Sequence, residues 1–235
     1  MLRVEISGDE TAMPSDFTFD GGKVVNAVPD EAHAFLDGKE YTEKGKAAHG
    51  SLPELGENAV LKLAEKISNL HPESTFAKLH SLTTAKALGI DIRDEVTALS
   101  INPSILHADS KKCSLSYDIR YPITADGEKV IESIKNAASA KGLKADIYFH
   151  EKPLYVPLDS HLVKTLSEIY TSRTGDTSEP VAIGGGTYAK SFPNCVAFGV
   201  LFPGEPETMH GPDEFWSHKS IKANFDIIAD AIIRL

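Results

Sequence analysis

Apolar and polar side chains alternate in several short stretches of the chain, which is the pattern of a half-buried strand. The alternation is clearest from Cys113 to Ile119. It also predicts strands at Leu2–Ile6, Val96–Ile101 and Ala145–Phe149. The segment Thr11–Gly22, which contains a proline and a Gly-Gly pair, is predicted as a loop. These strands predict a sheet in the N-terminal part of the chain.

Two segments of the same region repeat their apolar residues every three or four positions, which predicts helices. One runs from Asn58 to Leu70, and the other runs from Val130 to Ala138 and ends near Gly142. The order of elements from residue 45 to 149 is then strand, helix, strand, strand, helix, strand. That order is the split βαβ pattern of a ferredoxin-like α+β domain.

A second unit is predicted to follow a short linker between Pro153 and Pro157, so that the domains are residues 1–153 and 154–235. Its predicted elements are a helix at Leu162–Tyr170, a strand at Pro180–Ile183, a strand at Val196–Leu201 and a helix at Ile221–Ile232. Two strands are too few to form a stable sheet with helices packed on both of its faces. We therefore expect residues 154–235 to be part of a larger α/β domain.

The composition limits the possible partners. The 235 residues include 24 Lys and Arg against 34 Asp and Glu, a formal net charge of -10, which disfavours nucleic acid as a partner. No apolar run approaches the ~18 residues that span a bilayer, and the first residues lack the pattern of a secretory signal. The two cysteines have no metal-type spacing. A cytoplasmic protein without a membrane partner is expected.

Two residues of the first unit have side chains suited to binding an anionic group. The imidazole N–H of His49, just before a predicted helix, could donate to a developing oxyanion. Arg120, at the end of a predicted strand, could bind a carboxylate through two parallel hydrogen bonds. Taken alone, His49 is more often an exposed loop histidine and Arg120 is more often part of a surface salt bridge.

The second unit offers a glycine-rich segment and a histidine. Gly184-Gly185-Gly186-Thr187 would let the backbone approach a ligand closely, although a tight turn is the alternative. His210 alone cannot form a metal site, which needs three or four ligands. His107 and Asp109 are spaced like a ligand and its orienting carboxylate, but we interpret this spacing as accidental because no acidic cluster follows.

Taken together, several segments resemble the M20 metallopeptidase family, and in particular dipeptidases of the PepV type. The segments, which occur in the family's order, are residues 21–30, 45–58, 118–122, 184–199 and 202–214. The most specific stretch is IGGGTYAKSFPNCVAFGVLFPGEPETMH, and the resemblance covers almost the whole chain. It implies a ferredoxin-like lid at residues 1–153 and the last part of a zinc-peptidase-like α/β catalytic domain at residues 154–235.

The resemblance also implies a role for each candidate residue. His49 would donate to the oxyanion of the tetrahedral intermediate, and Arg120 would hold the C-terminal carboxylate of the substrate. Asn26 would add a polar contact to the substrate. The Gly185-Gly186-Thr187 loop would line the substrate cleft. His210 would be the metal ligand that the C-terminal part contributes.

The sequence departs from the family pattern in two ways. The family's other metal ligands and its general base lie in segments before the lid, and these residues do not contain them. The segment between Pro29 and Gly45 is also shorter than in PepV-type lids. Two divalent ions, zinc or manganese, are thus expected in an intact enzyme and none stably bound to this chain alone.

The expected function is metal-dependent hydrolysis of dipeptides, with this chain an incomplete portion that is inactive alone. One alternative is an M20-type amidohydrolase that acts on N-acyl amino acids, since Arg120 suits either carboxylate. Another is a non-catalytic binding or assembly module. The expected partners are a dipeptide or other small amide and a second copy of the chain, bound through the lid or an exposed sheet edge.

Overall fold

The computed structural model describes residues 1–95, 97–183, 185–199, 201–206, 208 and 213–235. Its chain divides into two compact units, Met1–Pro153 and Leu154–Leu235. Among the described helices, none combines the length and the apolar character that crossing a bilayer requires.

The first unit is a seven-stranded antiparallel sheet with helices. Its strands are β1 Leu2–Asp9, β2 Thr18–Gly21, β3 Glu31–Leu36, β4 Lys39–Lys44, β5 Ser100–Asp109, β6 Lys112–Arg120 and β7 Lys144–His150. Its helices are α1 Ala59–Leu70, α2 Thr75–His80 and α3 Gly127–Ser139, with a 3-10 turn at Pro53–Leu55. The strand order is β4-β3-β2-β5-β6-β1-β7.

Four of these strands confirm the predicted ferredoxin-like α+β class. In chain order, β1, α1, β5, β6, α3 and β7 follow the split βαβ pattern, and the strands lie in the order β5-β6-β1-β7. The first strand of the pattern is Leu2–Asp9, however, and not a strand after residue 45. The long segment between β1 and α1 therefore holds an extension of the sheet.

Three strands of that extension escaped sequence reasoning. Thr18–Gly21 lies within the predicted loop, because a four-residue strand is too short to show a period. Glu31–Leu36 and Lys39–Lys44 form a hairpin, and its tight turn has positive φ angles at Asp37 (51°) and Gly38 (72°). The short segment between Pro29 and Gly45 is thus filled by one closed hairpin.

The predicted strand Val96–Ile101 is displaced. Strand β5 begins at Ser100 and continues to Asp109, and Val96 lies outside the described residues. The strand contains Pro103, and its pairing with β6 shifts register between Pro103 and Ile105. This bulge breaks the two-residue period, so that alternation could not reveal the strand.

The core of the first unit lies between one face of the sheet and the helices. Alternate residues of the central strands are fully buried there, and α1 adds its apolar stripe to the same cluster. These central core residues include Leu2, Val4, Ile6, Leu115, Tyr117, Ile119, Leu63 and Ile67. Helix α1 begins where the Asn58 side chain accepts a hydrogen bond from Leu61 N. By alternation, Arg3, Asp118 and Arg120 point to the opposite face of the sheet.

The described residues of the second unit form helix α4 (His161–Thr174), a 3-10 turn (Tyr188–Ser191) and helix α5 (His218–Arg234). Both helices agree with the sequence prediction. The strands predicted at Pro180–Ile183 and Val196–Leu201 are wrong for the described residues, which form no strand in this unit. An apolar run becomes a strand only where a neighbouring strand accepts its hydrogen bonds.

Candidate functional site

Asn26 and His49 lie side by side because two loop segments pair through their backbones. Ala27 and His49 form an isolated antiparallel bridge. Val28 N donates to Ala48 O at 2.8 Å, and Gly50 N donates to Asn26 O at 2.7 Å. The structure thus brings together two of the predicted site residues, which lie far apart in sequence.

The His49 side chain is exposed, and its contacts define a tautomer. The backbone N–H of Ser51 donates to His49 Nδ1 at 3.2 Å, and Ser51 Oγ lies 2.6 Å from the same nitrogen. A ring nitrogen that accepts a backbone hydrogen bond carries no proton, so the proton of the neutral imidazole is on Nε2. An N–H at Nε2 is the kind of donor that stabilises an oxyanion.

The paired loop is attached to strand β5 by the side chain of Asn102. This side chain is fully buried, and its Nδ2 donates to Ala27 O at 2.9 Å and to Val25 O at 3.3 Å. These two carbonyls flank Asn26. The loop approaches so closely that a Cβ added at Gly50 would lie 2.9 Å from Asn26 O and 3.1 Å from Asn102 Nδ2.

Arg120 lies at the C-terminal end of β6 and is not a surface residue. Its Nη2 donates to Asp118 Oδ2 at 2.8 Å, and the side chains are 14% and 0% exposed. The pair therefore differs from the exposed salt bridge considered at first, because a buried charge has to be satisfied by its partner. The Asp118 carboxylate fixes the orientation of the guanidinium group.

The two halves of this site meet across strands β5 and β6. Asn102 stands directly opposite Asp118 in the strand register, and Ser100 stands opposite Arg120. On the other side of β6, Arg3 of β1 stands opposite Asp118 and stacks on Phe149, with its guanidinium carbon 5.4 Å from the ring centre. The Asn26–His49 loop and Arg120 are thus attached to neighbouring positions at one end of the sheet.

Sequence reasoning missed the roles of Asn102 and Asp118. An asparagine and an aspartate inside strands are buried polar groups that need partners, which is a usable signal once the strands are known. The predicted strand ended at Ile101, however, so Asn102 fell outside it. The register that places Asn102 opposite Asp118 is a tertiary feature.

In the second unit, the described part of the glycine-rich segment is an open turn. Thr187 caps the 3-10 turn, because its hydroxyl accepts a hydrogen bond from Ala189 N at 3.3 Å. A Cβ added at Gly186 would meet nothing within 4 Å, and one added at Gly185 would meet only Ile183, at 3.7 Å. His210 lies outside the described residues, as does Gly184.

The described residues do not by themselves fit a two-metal centre. Among them, no group of three or more His, Cys, Asp or Glu side chains could hold a metal ion. His107 Nδ1 pairs with Asp20 Oδ2 at 2.7 Å, and the Asp109 carboxylate accepts instead from the amides of Lys111 and Lys112. Asp109 therefore does not orient His107.

Comparisons with known proteins agree with this architecture. Residues 36–146 match the family model described as the peptidase dimerisation domain of M20 proteins. The chain is 29% identical to "Putative dipeptidase YtjP" of Bacillus subtilis (strain 168) and 28% identical to "Putative dipeptidase SH1171" of Staphylococcus haemolyticus (strain JCSC1435). Each alignment covers 93% of this chain and 55% of the relative. The chain thus spans about half the length of the curated relatives it matches.

A solved structure shows the same fold. The aminoacylhistidine dipeptidase of Vibrio alginolyticus superposes with a TM-score of 0.53 and 17% sequence identity, over 99% of this chain and 56% of that chain. At this identity the likeness concerns the fold alone. Residues 36–146 thus resemble the peptidase dimerisation domain of M20 proteins, and the chain is similar along 93% of its length to these two putative dipeptidases.

Proposed function

We propose that this chain forms the lid and the C-terminal part of the catalytic domain of a dipeptidase. One observation carries the proposal. At one end of the sheet, Asp118 holds Arg120, and the neighbouring strand position, Asn102, holds the loop of His49, whose Nδ1 accepts from Ser51 N. A dipeptide has a carboxylate and a scissile carbonyl, and these are the two groups that such residues would bind.

Arg120 would bind the C-terminal carboxylate of the substrate. Arginine presents donors in a planar fork that matches a carboxylate with two parallel bonds. Because Asp118 already holds the guanidinium group and the side chain is 14% exposed, little side-chain entropy would be lost when the substrate binds. This pre-organisation supports a recognition role for Arg120.

His49 would act at the carbonyl group of the scissile bond. Its Nε2–H would donate to the oxygen of the peptide carbonyl as negative charge develops there. Asn26, whose carbonyl is held by Gly50 N, would add a polar contact from its side chain. The Gly185-Gly186-Thr187 loop of the second unit would line the substrate cleft, as the family resemblance implies.

The second unit has the surface expected of an incomplete domain. Helix α5 exposes Phe225 (72%), Ile232 (77%) and Ile233 (82%). An apolar face of this kind is normally covered by another element. This exposure supports the proposal that residues 154–235 belong to a larger catalytic domain. The name of the matched family also supports self-association of the lid through an exposed edge strand, β4 or β7.

Divalent metal ions would supply the activation of water in the complete enzyme. His210 would be the ligand that these residues contribute, and the other ligands would lie in a segment outside them. We expect the purified 235-residue chain to retain no stoichiometric metal pair after dialysis, because a site needs three or more protein ligands. Elemental analysis that finds about two metal ions per chain would contradict this division of ligands.

The decisive test is His49→Ala in a complete enzyme, in which these residues follow the family's metal-binding segment. We expect kcat for dipeptides to fall by about 10²–10³, the usual effect of removing one oxyanion donor. Metal content should not change, and the stability should change by less than about 0.5 kcal/mol because the side chain is exposed.

The control is His33→Ala, which removes an exposed histidine of the same unit on strand β3. We expect that variant to keep its wild-type kcat. A His49→Ala enzyme with near wild-type turnover would remove the histidine from the reaction. A complete enzyme that hydrolyses no dipeptide at all would refute the proposed function as a whole.

A further inference from the structure

The buried amide of Asn102 contacts the candidate site from behind. Its Nδ2 donates to the carbonyls of Val25 and Ala27, and the side chain is fully buried. The residue between these carbonyls is Asn26, whose own carbonyl accepts from Gly50 N at 2.7 Å. A single side chain thus holds the backbone on both sides of Asn26, in the segment that pairs with His49.

The same side chain also adjoins the carboxylate-binding half of the site. Asn102 stands opposite Asp118 across β5 and β6, and Asp118 holds Arg120 at 2.8 Å. Strand β5 therefore links the loop of His49 to the strand of Arg120 through one residue pair.

We propose that Asn102 is a positioning residue, which holds Asn26 and His49 at the separation from Arg120 that a dipeptide requires. This inference rests on the proposed function for its catalytic consequence. Its structural part, that the Asn102 amide sets the conformation of the loop, stands without it. Asn102 acts through the backbone of the loop and has no contact with substrate.

Strand β5 offers a matched control for this role. Ser104, two residues further along, is also fully buried and also donates to a backbone carbonyl, Ser116 O at 2.9 Å. That carbonyl belongs to β6 and not to the Asn26–His49 loop. Ser104→Ala therefore removes a comparable buried hydrogen bond from the same strand but leaves the loop attached.

The first experiment measures hydrogen exchange of the Gly50 amide in the 235-residue chain. Because Gly50 N donates to Asn26 O, its protection reports the pairing of the loop. We expect Asn102→Ala to accelerate exchange at Gly50 by roughly tenfold or more relative to Ser104→Ala, since two hydrogen bonds to the loop are lost. Equal exchange rates at Gly50 in the two variants would overturn the proposal.

Asn102→Ser provides a second test in case Asn102→Ala does not fold. The serine hydroxyl is a single donor in place of the two N–H donors of the amide. We expect intermediate protection at Gly50 if Asn102 holds the loop. Protection equal to that of the wild type would overturn the proposal, because the two carbonyl contacts would then be dispensable.

The second experiment is a double-mutant cycle in the complete enzyme. We expect Asn102→Ala to lower kcat for dipeptides about tenfold or more, and to lower it much less when His49 is already alanine. Selectivity for dipeptides over their C-terminal amides, which reports Arg120, should be largely kept. Additive losses in the cycle would show a general structural effect and overturn the positioning role.

The two experiments separate this inference from the proposed function. If His49→Ala leaves turnover unchanged while Gly50 exchange still depends on Asn102, the proposed function fails and the loop-holding role survives. If Gly50 exchange does not depend on Asn102 while His49→Ala abolishes turnover, the positioning inference fails and the proposed function survives.

Discussion

The two units of the chain bury their apolar surface to very different extents. Among the described residues of Met1–Pro153, one cluster of 30 buried apolar residues is shared by the sheet and its helices. The described part of Leu154–Leu235 contains a cluster of four, namely Leu166, Ile169, Ile227 and Ala231. Amphipathic helices occur in both units, so the difference is that a sheet covers them in the first unit, whereas the described residues of the second unit form no sheet.

The candidate site residues differ between the units in the same way. Arg120 is held by a fully buried aspartate, and the His49 loop is attached to a fully buried asparagine. Gly186 and Thr187 lie in an exposed turn whose described contacts are local. A site residue is held rigidly only where the residues beneath it are well packed. We therefore expect substitutions to lower stability or activity more in the first unit than in the exposed turn of the second unit.

The largest expected effect is the loss of stability when a buried side chain is removed from the core of the first unit, compared with the same kind of removal in the second unit. Leu63→Ala, in helix α1, should lower the free energy of unfolding of the first unit by about 2–5 kcal/mol, because it leaves a cavity in a fully packed core. Ile169→Ala removes an equally buried side chain from helix α4. We expect it to leave the main unfolding transition unchanged in calorimetry. A comparable loss in both variants would show that the units unfold as one.

The next effect concerns substrate recognition by the rigid part of the site. Arg120→Lys in the complete enzyme replaces a planar fork by a point charge and loses the bond from Nη2 to Asp118. We expect kcat/KM for dipeptides to fall by an amount equivalent to about 1.5–3 kcal/mol, with a much smaller loss for their C-terminal amides. If both substrate classes keep wild-type kinetics, the carboxylate role of Arg120 is wrong.

Two glycines test the difference in packing directly. A methyl group at Gly50 would lie 2.9 Å from Asn26 O, so Gly50→Ala should destabilise the first unit by about 1–3 kcal/mol. The same change at Gly186 meets open space and should alter the stability by less than about 0.5 kcal/mol. Denaturant titrations of both variants measure these values. A neutral Gly50→Ala would mean that the loop is not held closely against Asn102.

The smallest expected effect is a pH dependence confined to the first unit. Burial lowers the pKa of His80, at the end of α2, below the ordinary 6.5, and Glu65 opposes this only in part. The folded state therefore binds fewer protons than the unfolded state, and stability is lost as the pH falls below 6.5. His80→Gln should reduce the loss of denaturant midpoint between about pH 7.5 and about pH 5. An unchanged pH dependence would show that other groups determine it.

Some of the fold followed directly from local pattern. The alternation from Cys113 to Ile119 and the helical repeat after Asn58 mark elements that bury one face against a core, and such faces leave a period in the sequence. The sequence also showed that Arg120 could bind a carboxylate and that His49 could donate a hydrogen bond to an oxyanion, because these abilities belong to the residue types. The roles assigned to them still rest on the family resemblance and remain predictions.

Other features depended on partners that the sequence does not display. Strand β5 contains a bulge at Pro103, so its period was hidden until the register with β6 was known. The apolar run at Val196–Leu201 has no strand beside it in the described part of its unit. Local pattern shows that a segment will bury one face, but hydrogen-bonding partners determine whether it becomes a strand.

For the candidate site, the sequence alone determined which side chains could bind a carboxylate and an oxyanion. The tertiary structure decided that the segment of Asn26 pairs with the segment of His49, that Asp118 holds Arg120, and that Asn102 contacts the first of these arrangements and stands opposite Asp118 of the second. The physical reason is that a residue's chemistry is local, whereas its position and burial depend on strands brought together from distant parts of the chain.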